Sequence, residues 1–510
     1  MFKDKRFSRR EVLAGGAKAG AFTILSSSAL GRAGALPPSD KLNIAFIGIG
    51  ITGWTNIRML ASQNVVALCD VDWRTPAELG SRANDMASAT IQKYPDAKRY
   101  DDWRIMLDEM DKQIDAVVVS TSDHTHAVAA LAAMKRGKHV YCEKPLAHNI
   151  DEVRAMMKAA KKYPHQATQT GFQGHASEDV RSIVEWVQDG AIGEIKEVHI
   201  YQQGARPRPA NRSANTAASP AAAPSAAPGS APNAGPAPNG AARPGGFPSS
   251  ADQIAHINDV VPVPPEVKWD LWLGPAPYRN YNPMYIPLRW RNWLDFGTGI
   301  LGDHGPHFFD PVVWSLDLGF PTSVVADTDA DYDPATNNQT FPRTAKVDYE
   351  FPAKGKRGPV HVTWFGDLTP PTPDGWDPNR PLPDGGGIIL GSKGSIVYGP
   401  VYSSDPGAIK QIWLIPGDLD KSYVRPTKTL PRPVSHQLEW ATAAKAGVQP
   451  SGNWTYGGLV TQICLLGNVA IRLKGQKLLF DAKTERFTNS HEANQLFART
   501  YRKGWKLPSI

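Results

Sequence analysis

The sequence predicts an α/β protein in two parts: a parallel sheet wrapped by helices, then an α+β domain on an open, mainly antiparallel sheet. Three observations carry this. Residues 41–61 read as strand, glycine turn and helix. From there to about residue 163, apolar runs alternate with helical patterns, as in a parallel sheet covered on both faces. After residue 166, short strand patterns follow one another with Pro, Gly and Asp between them. At 510 residues the chain is too long for one compact core.

The first apolar run (Leu42, Ile44, Phe46, Ile47) ends at Gly48-Ile49-Gly50-Ile51-Thr52-Gly53, and a helical pattern follows through Ile57, Met59 and Leu60. The spacing G-x-G-x-x-G lets a backbone turn tightly, approach a pyrophosphate and aim a helix N-terminus at it. Ordinary turns use glycines too. What separates the two readings is Asp70, 22 positions after Gly48, at the end of a second apolar run (65–69). An acid there accepts from the adenosine ribose, which makes the first part a Rossmann dinucleotide-binding domain. A carboxylate also repels a 2′-phosphate, so Asp70 favours NAD, while Arg74 nearby keeps NADP open.

Further elements follow in order: helical patterns over 75–94 and 103–110, a strand over 115–120, a helix over 125–136, a strand over 139–142 and a closing helix over 151–163. In such sheets the strand ends gather at one edge, where ligands bind. Two of these ends are polar, Ser120-Thr121-Ser122-Asp123-His124 and Glu143-Lys144-Pro145. The second part opens with a helix over 178–188 and a strand over 195–202. Further strands are predicted over 323–326, 345–351, 360–364 and 387–398, and late helices over 435–446 and 456–473.

Two stretches stand apart. Residues 1–35 hold Ser8-Arg9-Arg10-Glu11-Val12-Leu13, a moderately apolar stretch and Ala33-Gly34-Ala35, which reads as a twin-arginine export signal. Val12 and Ala14 depart from that pattern, which prefers Phe and Lys at these places. Residues 205–250 are mostly Ala, Pro, Ser, Asn and Gly, with no Val, Ile, Leu or Met, and read as a disordered insertion. The predicted division is a signal peptide (1–35), a nucleotide domain (36–165) and a substrate and oligomerisation domain (166–510) carrying the insertion.

Composition narrows the function. The net charge of +7 comes mostly from residues 1–35, which supply +5, so a nucleic-acid partner is not expected. No segment has 18 uninterrupted apolar residues, so no membrane span is expected. Cys69, Cys142 and Cys464 read as core thiols. His124-x-His126 and His304-x-x-His307 have tolerable metal spacing, but nothing completes a ligand set, so no metal is expected.

A second glycine cluster, Gly297 to Gly305, leads into a helix with Asp303 and His307 four apart, hence on one face. Read blandly, Asp303 caps this helix and His307 is a core imidazole. Lys144 weighs against that, because a Lys before Pro is held extended at the ligand edge. Glu143-Lys144-Pro145, the loop at 48–53 and the G-D-x-G-x-H run at 302–307 together resemble the glucose–fructose oxidoreductase/inositol dehydrogenase (Gfo/Idh/MocA) family, from about residue 41 to the C-terminus. The resemblance implies catalysis at the domain interface by Lys144, Asp303 and His307, with Ser120, Thr121, His124 and Glu143 lining the cofactor site. It places Gln173 near nicotinamide or substrate, and it implies dimers or tetramers. The long insertion and the aromatic segment 269–293 depart from the family pattern and leave the substrate open.

The chemistry expected is oxidation of a secondary hydroxyl on a sugar or cyclitol. His307 would take the hydroxyl proton, Asp303 would orient it, and Lys144 would stabilise the developing oxygen charge. Within the aromatic segment Trp290, Arg291 and Trp293 are the residues expected near the pocket; core packing accounts for most of the others. Export of a folded protein fits a tightly held cofactor, which the periplasm would not resupply. Two other functions compete: redox-neutral glycoside cleavage through transient oxidation, and a non-catalytic nucleotide or sugar sensor.

Overall fold

The computed structural model describes residues 40–74, 89–203, 259–287, 289–402 and 411–510. The expected signal (1–35), most of the predicted helix over 75–94 and the insertion at 205–250 lie outside these residues.

Two sheets organise the chain. The first is six-stranded and parallel: β1 (Asn43–Ile47), β2 (Asn64–Cys69), β3 (Lys98–Tyr100), β4 (Ala116–Val119), β5 (His139–Glu143) and β6 (Thr168–Gly171), in the order 3-2-1-4-5-6. Its central strands are apolar on both faces because helices cover both, as the buried AVVV of β4 shows. Helix α1 (Ile51–Met59) follows the glycine turn. The strand order reverses between β1 and β4, and the polar ends of β4 and β5 meet the glycine loop at that crevice. The sheet continues past the expected boundary at 165. The short strand β6, TQTG, has no apolar run to announce it.

The second sheet has nine strands, β7 (Ile195–Gln202), β8 (Ser323–Thr328), β9 (Ala345–Phe351), β10 (Val360–Gly366), β11 (Gly385–Gly391), β12 (Ser395–Tyr398), β13 (Ile412–Ile415), β14 (Leu478–Asp481) and β15 (Arg486–Phe487), in the order 13-12-11-7-10-9-8-14-15. Strand β7 (Ile195–Gln202) pairs in parallel with β10 (Val360–Gly366), and the other pairs are antiparallel. The run expected as one strand over 387–398 is a hairpin, β11 (Gly385–Gly391) and β12 (Ser395–Tyr398), turned at Ser392-Lys393-Gly394.

The two halves interleave. The late helix His436–Ala446 places Trp440, Ala441 and Ala444 in the nucleotide domain's core with Phe46, Val118 and Tyr141. The last long helix, Trp454–Arg472, lies against both Ile150–Lys162 and the helix Gly299–Ser315 that carries Asp303. Cys69, Cys142 and Cys464 are buried free thiols. Among the described residues no helix is long and apolar enough to cross a membrane, and no group of three or more metal-ligating side chains gathers.

Candidate active site

The glycine loop has the shape a pyrophosphate needs. Gly48 sits at φ +84°, and a Cβ there would lie 2.6 Å from the Ser120 carbonyl oxygen. A Cβ on Gly53 would lie 2.1 Å from the Gly48 oxygen. Gly50, between them, has open space where a Cβ would stand and precedes the N-terminus of α1. The residues therefore fit a dinucleotide: two glycines close the turn, and the third leaves its backbone approachable. The cleft above is lined by Ile51, Thr52, Asp70, Ser120 and Thr121 from the first domain, and is roofed by Trp272 and Trp290.

Asp70 stands where the ribose is expected. Its Oδ2 accepts from the Ile49 amide at 2.8 Å and its Oδ1 from Val71 at 2.7 Å, so it also pins the loop. Burial pushes its pKa up to about 6 against these backbone donors. Arg74 is committed elsewhere, pairing with Asp72 at 2.5 Å and donating to the Tyr281 hydroxyl at 3.3 Å.

At the far end of the crevice Lys144, Asp303 and Arg291 converge. Lys144 Nζ donates to the Asp303 main-chain oxygen at 2.7 Å and to its Oδ1, while Arg291 Nε lies 3.0 Å from Oδ2. Burial opposes the Asp303 charge, yet Lys144 and Arg291 hold the carboxyl far below the usual range. Asp303 thus orients Lys144. No Asp303–His307 hydrogen bond is formed, contrary to the expectation that the carboxylate steers the imidazole. His307 is buried, edge-on to Tyr402 with ring centres 4.9 Å apart, and its Nδ1 has no partner. Burial first, then Lys144, drive its pKa well below the ordinary value, so the resting imidazole is neutral. The neighbouring His304 joins Tyr402 at 2.7 Å, and Tyr402 donates to Gln202 at 2.7 Å.

Asp123 is the residue that sequence reasoning quoted but did not assign. It is buried and accepts from Thr298 Oγ1 at 2.7 Å; burial and the nearby Asp303 charge push it up to about 7. Glu143 is also buried, with its pKa raised to about 7 by burial. Its Oε1 accepts from Asn56 and Gln173, each at 2.8 Å, and Gln437 in turn holds Asn56 at 2.8 Å. Gln173 thus arrives beside Glu143. His124 lies in the cleft wall, where Nδ1 faces the Phe296 carbonyl at 3.2 Å and Nε2 the Trp272 carbonyl at 2.8 Å, and the neutral ring donates to one of the two. That imidazole fastens the aromatic segment to the nucleotide domain. Trp293 is fully buried in the cluster of Trp269, Trp272, Tyr285 and Phe296, so its ring serves packing and stands away from the pocket. Trp290 lines the cleft and carries the Arg291 guanidinium 4.5 Å from its ring centre.

Two family models match in chain order. Residues 42–171 match the oxidoreductase family's NAD-binding Rossmann fold, and residues 254–351 match its C-terminal alpha/beta domain. Both models are of the Gfo/Idh/MocA family. Inositol 2-dehydrogenase of Salmonella typhimurium is 29% identical over 163 residues, 31% of this chain and 45% of that enzyme. Levoglucosan dehydrogenase of Pseudarthrobacter phenanthrenivorans is 30% identical over 161 residues, 31% of this chain and 39% of that one. The chain spans less than half the length of these curated relatives. Aldose-aldose oxidoreductase from Caulobacter crescentus, complexed with glycerol, superposes with a TM-score of 0.51 at 15% identity, covering 86% of this chain and all of that one. The WlbA dehydrogenase from Bordetella pertussis, in complex with NADH and UDP-GlcNAcA, gives 0.51 at 16% identity, covering 86% and 98%. At these identities the likeness shows the fold alone.

Proposed function

We propose that this chain is an exported, NAD-dependent oxidoreductase acting on a secondary hydroxyl of a sugar, cyclitol or derivative. The observation that carries the reading is Lys144, clamped by the main-chain oxygen and Oδ1 of Asp303 at the end of a glycine-loop cleft. Similarity to inositol and levoglucosan dehydrogenases over the nucleotide domain supports it. When bound, the nicotinamide supplies the hydride acceptor. The chain's own residues do the rest. Lys144 donates to the substrate oxygen and stabilises its developing charge, while Asp303 and Arg291 fix the ammonium's position. Neutral His307 is in the state that can accept the hydroxyl proton. Arg74, paired with Asp72, leaves the ribose pocket governed by Asp70, which favours NAD over NADP. Incubating the protein with NAD and a panel of cyclitols and aldoses tests this: reduced cofactor accumulates with at least one, and Lys144→Ala abolishes it.

The twin-arginine pattern at Arg9-Arg10 favours a periplasmic protein that leaves the cytoplasm folded, with its cofactor aboard. A nucleotide assay on denatured protein checks this, since a tightly held cofactor survives dialysis at near one per chain. The same pattern favours redox-neutral glycoside cleavage as a second reading. Transient oxidation acidifies the adjacent C–H, the glycosidic substituent is eliminated and the hydride returns. Release of aglycone from an aryl glycoside without net reduction, with deuterium exchange at that carbon, distinguishes it.

A further inference from the structure

A second cavity, of about 300 Å³, lies behind the cofactor cleft, and no residue lines both. The wall between them is His124, whose carbonyl accepts from Arg499, and Thr298, whose hydroxyl is held by Asp123. His148 and Asn149 from the start of helix Ile150–Lys162 line it, as do Asn468 and Arg472 from helix Trp454–Arg472 and Arg499 from the C-terminal segment. Leu465, Val469 and Phe341 supply an apolar side.

The buried polar atoms without partners here are two donors, Arg499 Nη1 and Asn149 Nδ2, one acceptor, Asn468 Oδ1, and both ring nitrogens of His148. Arg472, largely buried, makes no hydrogen bond or ion pair with any described residue. Asp295 and Glu492 are the acids that face it, and Asp295 is already held by Arg279 at 2.5 Å. Arg499 gives Nη2 to Glu152 at 2.7 Å, but its Nη1 is buried with no partner. The Asn149 side-chain oxygen caps its helix, accepting from Glu152 at 3.0 Å, and its buried amide Nδ2 has no acceptor. Burial keeps His148 neutral, so it adds no charge. The cavity therefore carries one guanidinium with no hydrogen-bonded counter-ion among the described residues and two spare N–H donors. Buried charge is retained when something pairs it, and a guanidinium's fork matches an oxyanion.

We propose that this cavity binds a small oxyanion, a carboxylate or phosphate group on a compact, partly apolar body. Arg472 is its charge partner, and Arg499 and Asn149 donate to it. The cleft and this site have separate walls, so both are filled at once. An alternative role for Arg472 is structural, as a cation at the negative end of its helix. The two roles give opposite signs on removal.

The test uses the full chain saturated with NAD, so that the glycine loop is occupied, melted in anion-poor buffer with added inorganic phosphate or succinate. The expected result is a saturable rise in Tm with at least one probe, unaffected by NAD. The rise requires at least tenfold more probe in Arg472→Lys and is absent in Arg472→Met. Without probe, Arg472→Met melts at or above the wild-type temperature. The probe that saturates at lower concentration separates a phosphate from a carboxylate ligand. The proposal is overturned by no rise with either probe, by a rise that NAD suppresses, by a wild-type rise in Arg472→Met, or by a large loss of Tm in that variant without probe.

Discussion

At the scale of single residues, Lys144 and the two ends of the glycine loop make separable predictions. Removing the ammonium with Lys144→Ala lowers kcat/KM by roughly 10²–10⁴-fold. NAD affinity measured by calorimetry stays within a few-fold, because the glycine loop and Asp70 are untouched. Gly53→Ala forces a Cβ to within 2.1 Å of the Gly48 oxygen, so it destabilises the fold by about 1–3 kcal/mol in urea unfolding. Gly50→Ala meets no atom within 4 Å and keeps its stability, but puts a methyl group where the pyrophosphate backbone contact belongs. Its Kd for NAD therefore rises about tenfold or more, near 1.4 kcal/mol. The residue types were legible in the sequence; their pairings were not. Lys144, Asp303 and His307 are recognisable from spacing, yet Arg291 closing on Asp303 depends on the 11 intervening residues folding back. Asp123 was visible as a polar strand end, and its burial under Thr298 was not.

At the scale of elements, periodicity found most helices and the longer strands because each has an apolar face to announce. It missed β6 and the pair Leu478–Asp481 and Arg486–Phe487, which are too short to show alternation. Strand β3, KRY, is polar or half-exposed and is recognised only by its pairing with β2. The aromatic segment proved a packed layer: Trp269 and Trp272 stack 4.7 Å apart, and their neighbours form the roof of the cleft. The long helix Trp454–Arg472 joins the two domains, and Asn453 starts it, accepting from the Thr455 amide at 3.0 Å and the Tyr456 amide at 3.3 Å. Asn453→Ala lowers stability by about 1 kcal/mol in urea unfolding. A loss confined to one domain, seen as two separate transitions, would contradict the joining role.

At the scale of the whole molecule, buried titratable groups set the response to pH. Burial depresses seven imidazoles, those of His124, His126, His139, His148, His304, His307 and His436. The unfolded chain binds protons there below about 6.5 that the folded chain refuses, so each makes stability fall as pH drops from about 6.5 towards 4. Burial raises three carboxyls, Asp70 to about 6, and Asp123 and Glu143 to about 7. Those keep protons that the unfolded chain has lost above about 4, so their contribution declines from pH 4 to about 7. Seven outweigh three. The urea midpoint of cofactor-free protein therefore falls from pH 6.5 to 4.5 and drops by a smaller amount from 6.5 to 8. The two-domain plan was legible because glycine loop, alternation and motif spacing are local signals. The return of residues 436–472 onto the first domain was not, since contacts across three hundred residues leave no periodic trace.

The measurement that bears most directly on the proposed activity is the redox state of the bound nicotinamide after mixing with cyclitols and aldoses, read by its absorbance, in wild type and Lys144→Ala. Reduced cofactor is expected with at least one polyol and none in the variant. A cofactor that binds tightly but stays oxidised with every polyol, or is reduced equally fast without the Lys144 ammonium, would contradict it.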